Sequence, residues 1–226
     1  MRNLFRITGI LLLIILIHSC EKEDNKIIKD GDGNVYTSVT IGTQIWIVEN
    51  LKTTKFNDGT AIPIITNNTA WATLTIPGYC WYNNDTTNKG IYGALYNWDV
   101  VDLASNNGKN VCPIGWHVPS GTEWITLEDN LGGYTKASVK LREIGTIHWQ
   151  SPNAGATNES GFTALPGGYR LYDGRFLDIG LSGHWWSTTA LNETLAFDWI
   201  LFYYDSDFNG TAYEKRNGYS IRCVKD

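Results

Sequence analysis

Two consecutive helical patterns sit in the middle of a chain whose flanks read as strand and loop, and that order constrains the fold more than any other feature. Ser120 and Glu123 form an S-x-x-E capping box, in which the hydroxyl accepts from a free backbone N–H and the carboxylate reaches back to the cap. Trp124, Leu127 and Leu131 follow at i, i+3 and i+7, and Gly132-Gly133 closes the helix. A second helix is expected over Lys136 to Ile144, with Ala137, Leu141 and Ile144 on one face and Gly145 as its stop. Upstream, Val35 to Val48 reads as a β-hairpin. Its two β-branched and aromatic runs flank Gly42-Thr43, with Gly in the first position as a type II′ turn prefers. Asn57-Asp58-Gly59 marks a second turn.

Downstream, HWQSPNAGATNES is a polar loop. FTAL, GYRLY and RFLDI, the last two divided by Asp173-Gly174, predict a three-strand meander. HWWSTT and AFDWILFYY follow as strands. The second is apolar on both faces and is expected at the centre of a sheet. SIRCVKD supplies a last strand. This order defines an α+β chain. Ten Trp and twelve Tyr against one Met suit a rigid, sheet-rich core, and aromatic residues of this kind also serve sugar-binding surfaces.

The first twenty residues carry an address. Arg2 and Arg6 precede an unbroken apolar run from Ile10 to Ile17, which has the length of a secretory h-region and is too short for a membrane span. Ile17-His18-Ser19-Cys20 resembles a lipobox, so residues 1–19 are expected to be a signal peptide and Cys20 the lipid attachment site. Glu21-Lys22-Glu23-Asp24 resembles the Lys-plus-acidic tag that places bacterial lipoproteins on the outer face of the outer membrane. Residues 20–33 then form an acidic tether and 34–226 the globular domain. Without Arg2 and Arg6 the chain keeps 16 basic against 23 acidic residues, a net charge near −7. That balance argues against nucleic acid as a partner.

Acylation of Cys20 leaves Cys80, Cys112 and Cys223, whose three pairings are all open. Their spacing matches no zinc knuckle. Neither does that of His117, His148 and His184, which are expected to be structural. No nucleophile elbow, P-loop or dinucleotide fingerprint occurs. Asp205, Asp207 and Asn209, with Gly210, match the front half of a calcium loop, but Arg216 stands where the closing Glu belongs. Calcium is therefore a candidate cofactor there against a simpler reading as a turn.

The runs VTIGTQIWIVENLKTTKFNDGTAIP, YGALYNW, CPIGWHVPSGTEW, GATNESGFTALPGGYR, WWSTT and SIRCVKD, in this order, resemble the Fibrobacter succinogenes major paralogous domain over nearly all of residues 35–226. The resemblance implies an exported or lipid-anchored bacterial protein and a C-type-lectin-like core, with two helices, a twisted antiparallel sheet and the N-terminal hairpin as an extension. It hands over no catalytic residues. Lectin-like folds pair a Cys near the first helix with one on the last strand, which implies a Cys112–Cys223 disulfide. Calcium-dependent lectins of that fold carry a Glu-Pro-Asn or Gln-Pro-Asp triplet and a Trp-Asn-Asp triplet. This chain has Ser151-Pro152-Asn153 and Trp185-Trp186-Ser187 instead, so the usual sugar site is expected to be absent.

Trp185 and Trp186 are the sharpest aromatic feature. On a strand they point to opposite faces, and an exposed ring would stack on a sugar. The expectation from sequence is a non-catalytic, surface-displayed binding or adhesion module for a glycan or a protein. A structural envelope component and a polysaccharide-acting enzyme are the alternatives.

Overall fold

The structure is a computed structural model and describes residues 27–205 and 207–226. The expected signal peptide, the expected lipid attachment site Cys20 and the acidic segment after it lie outside the described residues. Strands β1 (Ile28–Lys29) and β2 (Val35–Tyr36) pair with each other, and β3 (Ser38–Ile41) and β4 (Gln44–Ile47) form the expected hairpin. Gly42 has φ +61° at the first turn position, as the II′ turn requires. Two short helices that patterning does not reveal follow, α1 (Asn68–Ala72) and α2 (Lys89–Tyr92), interleaved with the paired strands β5 (Tyr79–Cys80) and β6 (Leu95–Tyr96). After β7 (Trp116–His117) come α3 (Gly121–Asn130) and α4 (Tyr134–Leu141). The chain finishes through β8 (Gly167–Arg170), β9 (Phe176–Ile179), β10 (Ser182–Ala190), β11 (Leu195–Phe202), β12 (Asn209–Glu214) and β13 (Val224–Lys225).

The capping box forms as expected, with Ser120 N–H and Oγ each 2.7 Å from Glu123 Oε2. The second helix differs from expectation. It starts at Tyr134 and stops at Leu141, because Arg142 turns extended (φ −70°, ψ 141°) and sends its guanidinium to the carbonyls of Phe202, Tyr203 and Ala154. Ile144 therefore leaves the helix face and stands 62 % exposed.

The sheet is not a single twisted antiparallel one. A five-stranded sheet runs β12-β11-β10-β8-β9 and a four-stranded sheet runs β3-β4-β13-β7, so the last strand closes onto the first hairpin. β11 is an interior strand, as its two apolar faces require. β10 meets β8 in parallel at Gly183–Gly168. FTAL forms no strand. Its Ala164 makes only an isolated bridge to Arg142, so β8 and β9 are a hairpin and not part of a meander.

Two large aromatic cores result, beside a smaller cluster of Trp71, Tyr82, Cys80 and Leu95. Trp124 of α3 stacks on Trp199 of β11 at 5.8 Å and packs on Trp46 at 4.7 Å, with Phe162 and Trp185 in the same cluster. On the other side Trp186, Tyr219, Tyr96 and Trp98 form the second. Alternation along β10 thus sends Trp185 into one core and Trp186 into the other.

Three fully buried arginines bind backbone carbonyls, and among the described residues none has a carboxylate within ion-pair distance. Arg170 holds Gly174, Ile65 and Thr66 with its guanidinium 4.4 Å from the Trp71 ring. Arg222 holds Phe162 and Thr163 and lies 4.1 Å over the Phe162 ring, and burial pulls its pKa down to about 9. These forks staple irregular segments whose carbonyls would otherwise be buried unpaired.

Candidate binding cleft

The turn Trp98–Val100 opens a loop that runs to Cys112. Trp98 Nε1 donates to Ser187 O at 2.9 Å, which fixes the start of the loop against β10. Within it, buried Asn106 donates to Val100 O at 2.9 Å and accepts from Lys109 N–H at 2.8 Å, so one side chain sets the shape of the bend. The far end is tied twice. Asn110 donates to Trp116 O at 2.7 Å, and Cys112 forms a disulfide with Cys223, the Cα atoms 6.0 Å apart. Cys80 is left as a free, buried thiol, and burial pushes its pKa up to about 12, which keeps it protonated and inert.

Loop, β7, the start of α3 and the end of β10 enclose a cleft of about 500 Å³. Val100, Val101, Val111 and Val118 form its floor and are at most 5 % exposed. Leu103, 57 % exposed, and Thr188 stand on the rim. The rest of the rim is polar or charged: Asp102, Lys109, Asn110, His117, Ser120 and Glu123. The lining holds no Trp, Tyr or Phe ring.

The rim charges are already engaged. His117 Nε2 lies 2.7 Å from Glu123 Oε1 and its Nδ1 2.7 Å from Asp226 Oδ1. Burial pulls the imidazole down, but the two carboxylates outweigh it and hold His117 above its ordinary 6.5. Burial raises Glu123, but the bonds from Ser120 and His117 outweigh it and hold the carboxyl below the usual range. Lys109 Nζ sits 2.7 Å from Thr60 Oγ1 and 3.6 Å from Asp58. An imidazolium clamped on both nitrogens offers no free base, and the Ser120 hydroxyl is bonded to Glu123. The arrangement can order a binding surface.

A second polar cluster lies inside the five-stranded sheet. His184 Nδ1 is 2.9 Å from Asp198 Oδ2 and Nε2 is 3.0 Å from Ser182 Oγ, with the ring stacked on Tyr219 at 4.9 Å. The connectivity copies a nucleophile triad, yet Ser182 and Asp198 are both 0 % exposed, so no reactant meets them. Burial raises the Asp198 carboxyl above its ordinary value. His148, bonded to Glu143 at 2.9 Å, is likewise part of a local clamp.

The structure brings none of the other sequence candidates into a site. Trp185 and Trp186 are 0 % exposed, with their Nε1 atoms bound to Asn50 Oδ1 and Tyr96 O. This corrects the idea of a sugar-stacking ring at these positions, because both faces of β10 are covered by core. At the half calcium loop, Asp205 Oδ1 accepts from Asp207 N–H at 3.2 Å, which is an Asx turn, and Asn209 joins β12 opposite Ile200. No cluster of three or more metal-ligating side chains occurs among the described residues. The cleft itself was missed. Its lining comes from four separate segments, and its sole sequence signal was the capping box that supplies Ser120 and Glu123.

The fold and cleft define a disulfide-closed α+β domain built on a five-stranded and a four-stranded sheet with aromatic cores between its elements, and an aliphatic pocket at one end. The family model described as the Fibrobacter succinogenes major domain matches residues 39–225, and the chain belongs to that family. No curated protein and no solved structure matches it.

Proposed function

We propose that this chain is a non-catalytic binding module that takes an aliphatic side chain of a protein partner in the valine-floored cleft. The observation that carries this is the lining: an apolar floor, a rim whose charged groups are each already bonded within the chain, and no Trp, Tyr or Phe ring on which a sugar could stack. Pockets of this size bury a small ligand or an anchoring side chain. Between the two partners expected from sequence, this favours protein over glycan.

The module is held at the outer face of the outer membrane through a lipid on Cys20, and its core is C-type-lectin-like. The lipobox-like IHSC and the acidic tag support the first statement. The second is supported by two consecutive helices, a long loop, and a disulfide joining the segment before α3 to the final strand.

Two experiments test this. The chain from residue 21 is applied to an array of polar peptides, each bearing a single Ile, Leu or Val. Binding should fall by about tenfold or more in the Leu103→Glu/Thr188→Arg variant, which fills the rim without touching the floor. Equal binding by both proteins defeats the cleft reading. For the anchor, Cys20→Ala should abolish incorporation of labelled fatty acid; continued labelling defeats it.

A further inference from the structure

The turn after α4 presents two isoleucines to solvent, Ile144 at 62 % and Ile147 at 85 % exposure. The turn is held firmly. Asn153, only 4 % exposed, donates to Glu143 O at 2.8 Å and to Gly145 O at 2.7 Å. The Glu143 carboxylate grips His148 at 2.9 Å, and the His148 ring meets Tyr92 edge-on at 5.8 Å. Buried Trp149 anchors the far side through Ala164 O. Two apolar side chains are therefore kept in water by a pre-organised scaffold, which is the form of an interaction knob.

The knob and the cleft lie at opposite ends of β10. Gln150 N–H donates to Gly180 O at 2.8 Å, just before the strand begins at Ser182, while Thr188 near its other end lines the cleft. Ser182 to Thr188 alone spans roughly 20 Å. The knob of one chain cannot reach its own cleft, but it is placed to reach that of a neighbour.

We propose that the Ile144–Ile147 turn of one copy seats in the valine-floored cleft of the next, a head-to-tail contact that leaves each copy one knob and one cleft for further growth. This rests on the reading of the cleft as an aliphatic pocket and names a second copy of the chain as its occupant. The chemistry matches on both sides. The knob brings two branched aliphatic groups, and the cleft offers four valines and Leu103, with Asp102 on its rim turned onto Ser105 of its own loop. Beside the knob, the Glu143 carboxylate is already hydrogen-bonded to His148 Nδ1 at 2.9 Å.

Sedimentation equilibrium of the chain from residue 21 tests the contact. Wild type should show a mass that rises with concentration past the dimer. Ile144→Ser/Ile147→Ser, which removes the knob, and Leu103→Glu/Thr188→Arg, which blocks the cleft, should each stay monomeric; all four side chains are exposed, so both variants should fold. An equimolar mixture of the two should rise to the dimer and no further, because only one intact knob can meet one intact cleft. A monomeric wild type at every concentration, a variant that associates as wild type does, or a mixture that remains monomeric each overturns the proposal. Aliphatic peptides then separate the two claims. If they bind a monomeric wild type at the cleft, self-association alone has failed; if they do not, the cleft reading has failed with it.

Discussion

Cys112 and Cys223, 111 residues apart in sequence, are joined with their Cα atoms 6.0 Å apart, and the bond fixes the end of the cleft loop to the segment that enters the last strand. Closing a loop of that length removes about 4–5 kcal/mol of unfolded-state entropy in the chain-entropy model, and native bridges are worth about 2–5 kcal/mol. Cys112→Ala/Cys223→Ala should lose stability in that range on denaturant unfolding. Peptide mapping without reduction should find Cys80 uncrosslinked; a Cys80-containing bridge would refute the assignment.

Arg222 donates Nε to Asn50 Oδ1 and its two terminal nitrogens to the carbonyls of Phe162 and Thr163. A lysine there buries an ammonium that cannot span three acceptors in a planar fork. Arg222→Lys should cost about 3 kcal/mol or more, from unpaired carbonyls and a poorly solvated charge. Arg216→Lys, an exposed control, should change stability by less than about 0.5 kcal/mol. Similar losses at both positions would show that the fork geometry at Arg222 is irrelevant.

The patterns legible in sequence were those set by neighbouring residues. The Ser120–Glu123 box, the Gly42 turn and the Gly132-Gly133 stop each depend on a few adjacent positions, and each forms as read. What could not be read depends on partners far along the chain. Arg142 ends α4 because carbonyls near the end of β11 draw its guanidinium, and no local signal marks that. The same change frees Ile144, whose spacing from Leu141 looks helical. The aromatic surplus announces a sheet-rich core but not how its rings divide between the faces of β10, so Trp185-Trp186 admits a platform reading beside the simpler one as packing.

Burial decides that last question by mutation. Trp185→Ala and Trp186→Ala should each cost about 3–5 kcal/mol, since each empties a fully occupied core site and strands a partner of the indole N–H. Chemical denaturation measures both. A variant as stable as wild type would mean that its ring is not in the core.

His117 gives the cleft rim a pH dependence. Its folded pKa lies above 6.5, so its contribution is fully present below 6.5 and is lost as pH rises through the folded value. Glu123 has the opposite sign: its contribution is present above 4.5 and is lost as pH falls through its lower folded value. The stability difference between wild type and His117→Gln should therefore shrink as pH rises past 6.5 toward alkaline values. A difference that is constant or grows over that window contradicts the clamp.

The valine floor is the proposed seat of an aliphatic side chain. Methyl-labelled protein from residue 21, titrated with a short peptide bearing one isoleucine and separately with a disaccharide, tests this directly by NMR. The methyl signals of Val100, Val101, Val111 and Val118 should shift in a saturable way with the peptide and stay fixed with the sugar. Shifts with the disaccharide, or peptide-induced shifts confined to residues outside the cleft, would contradict it.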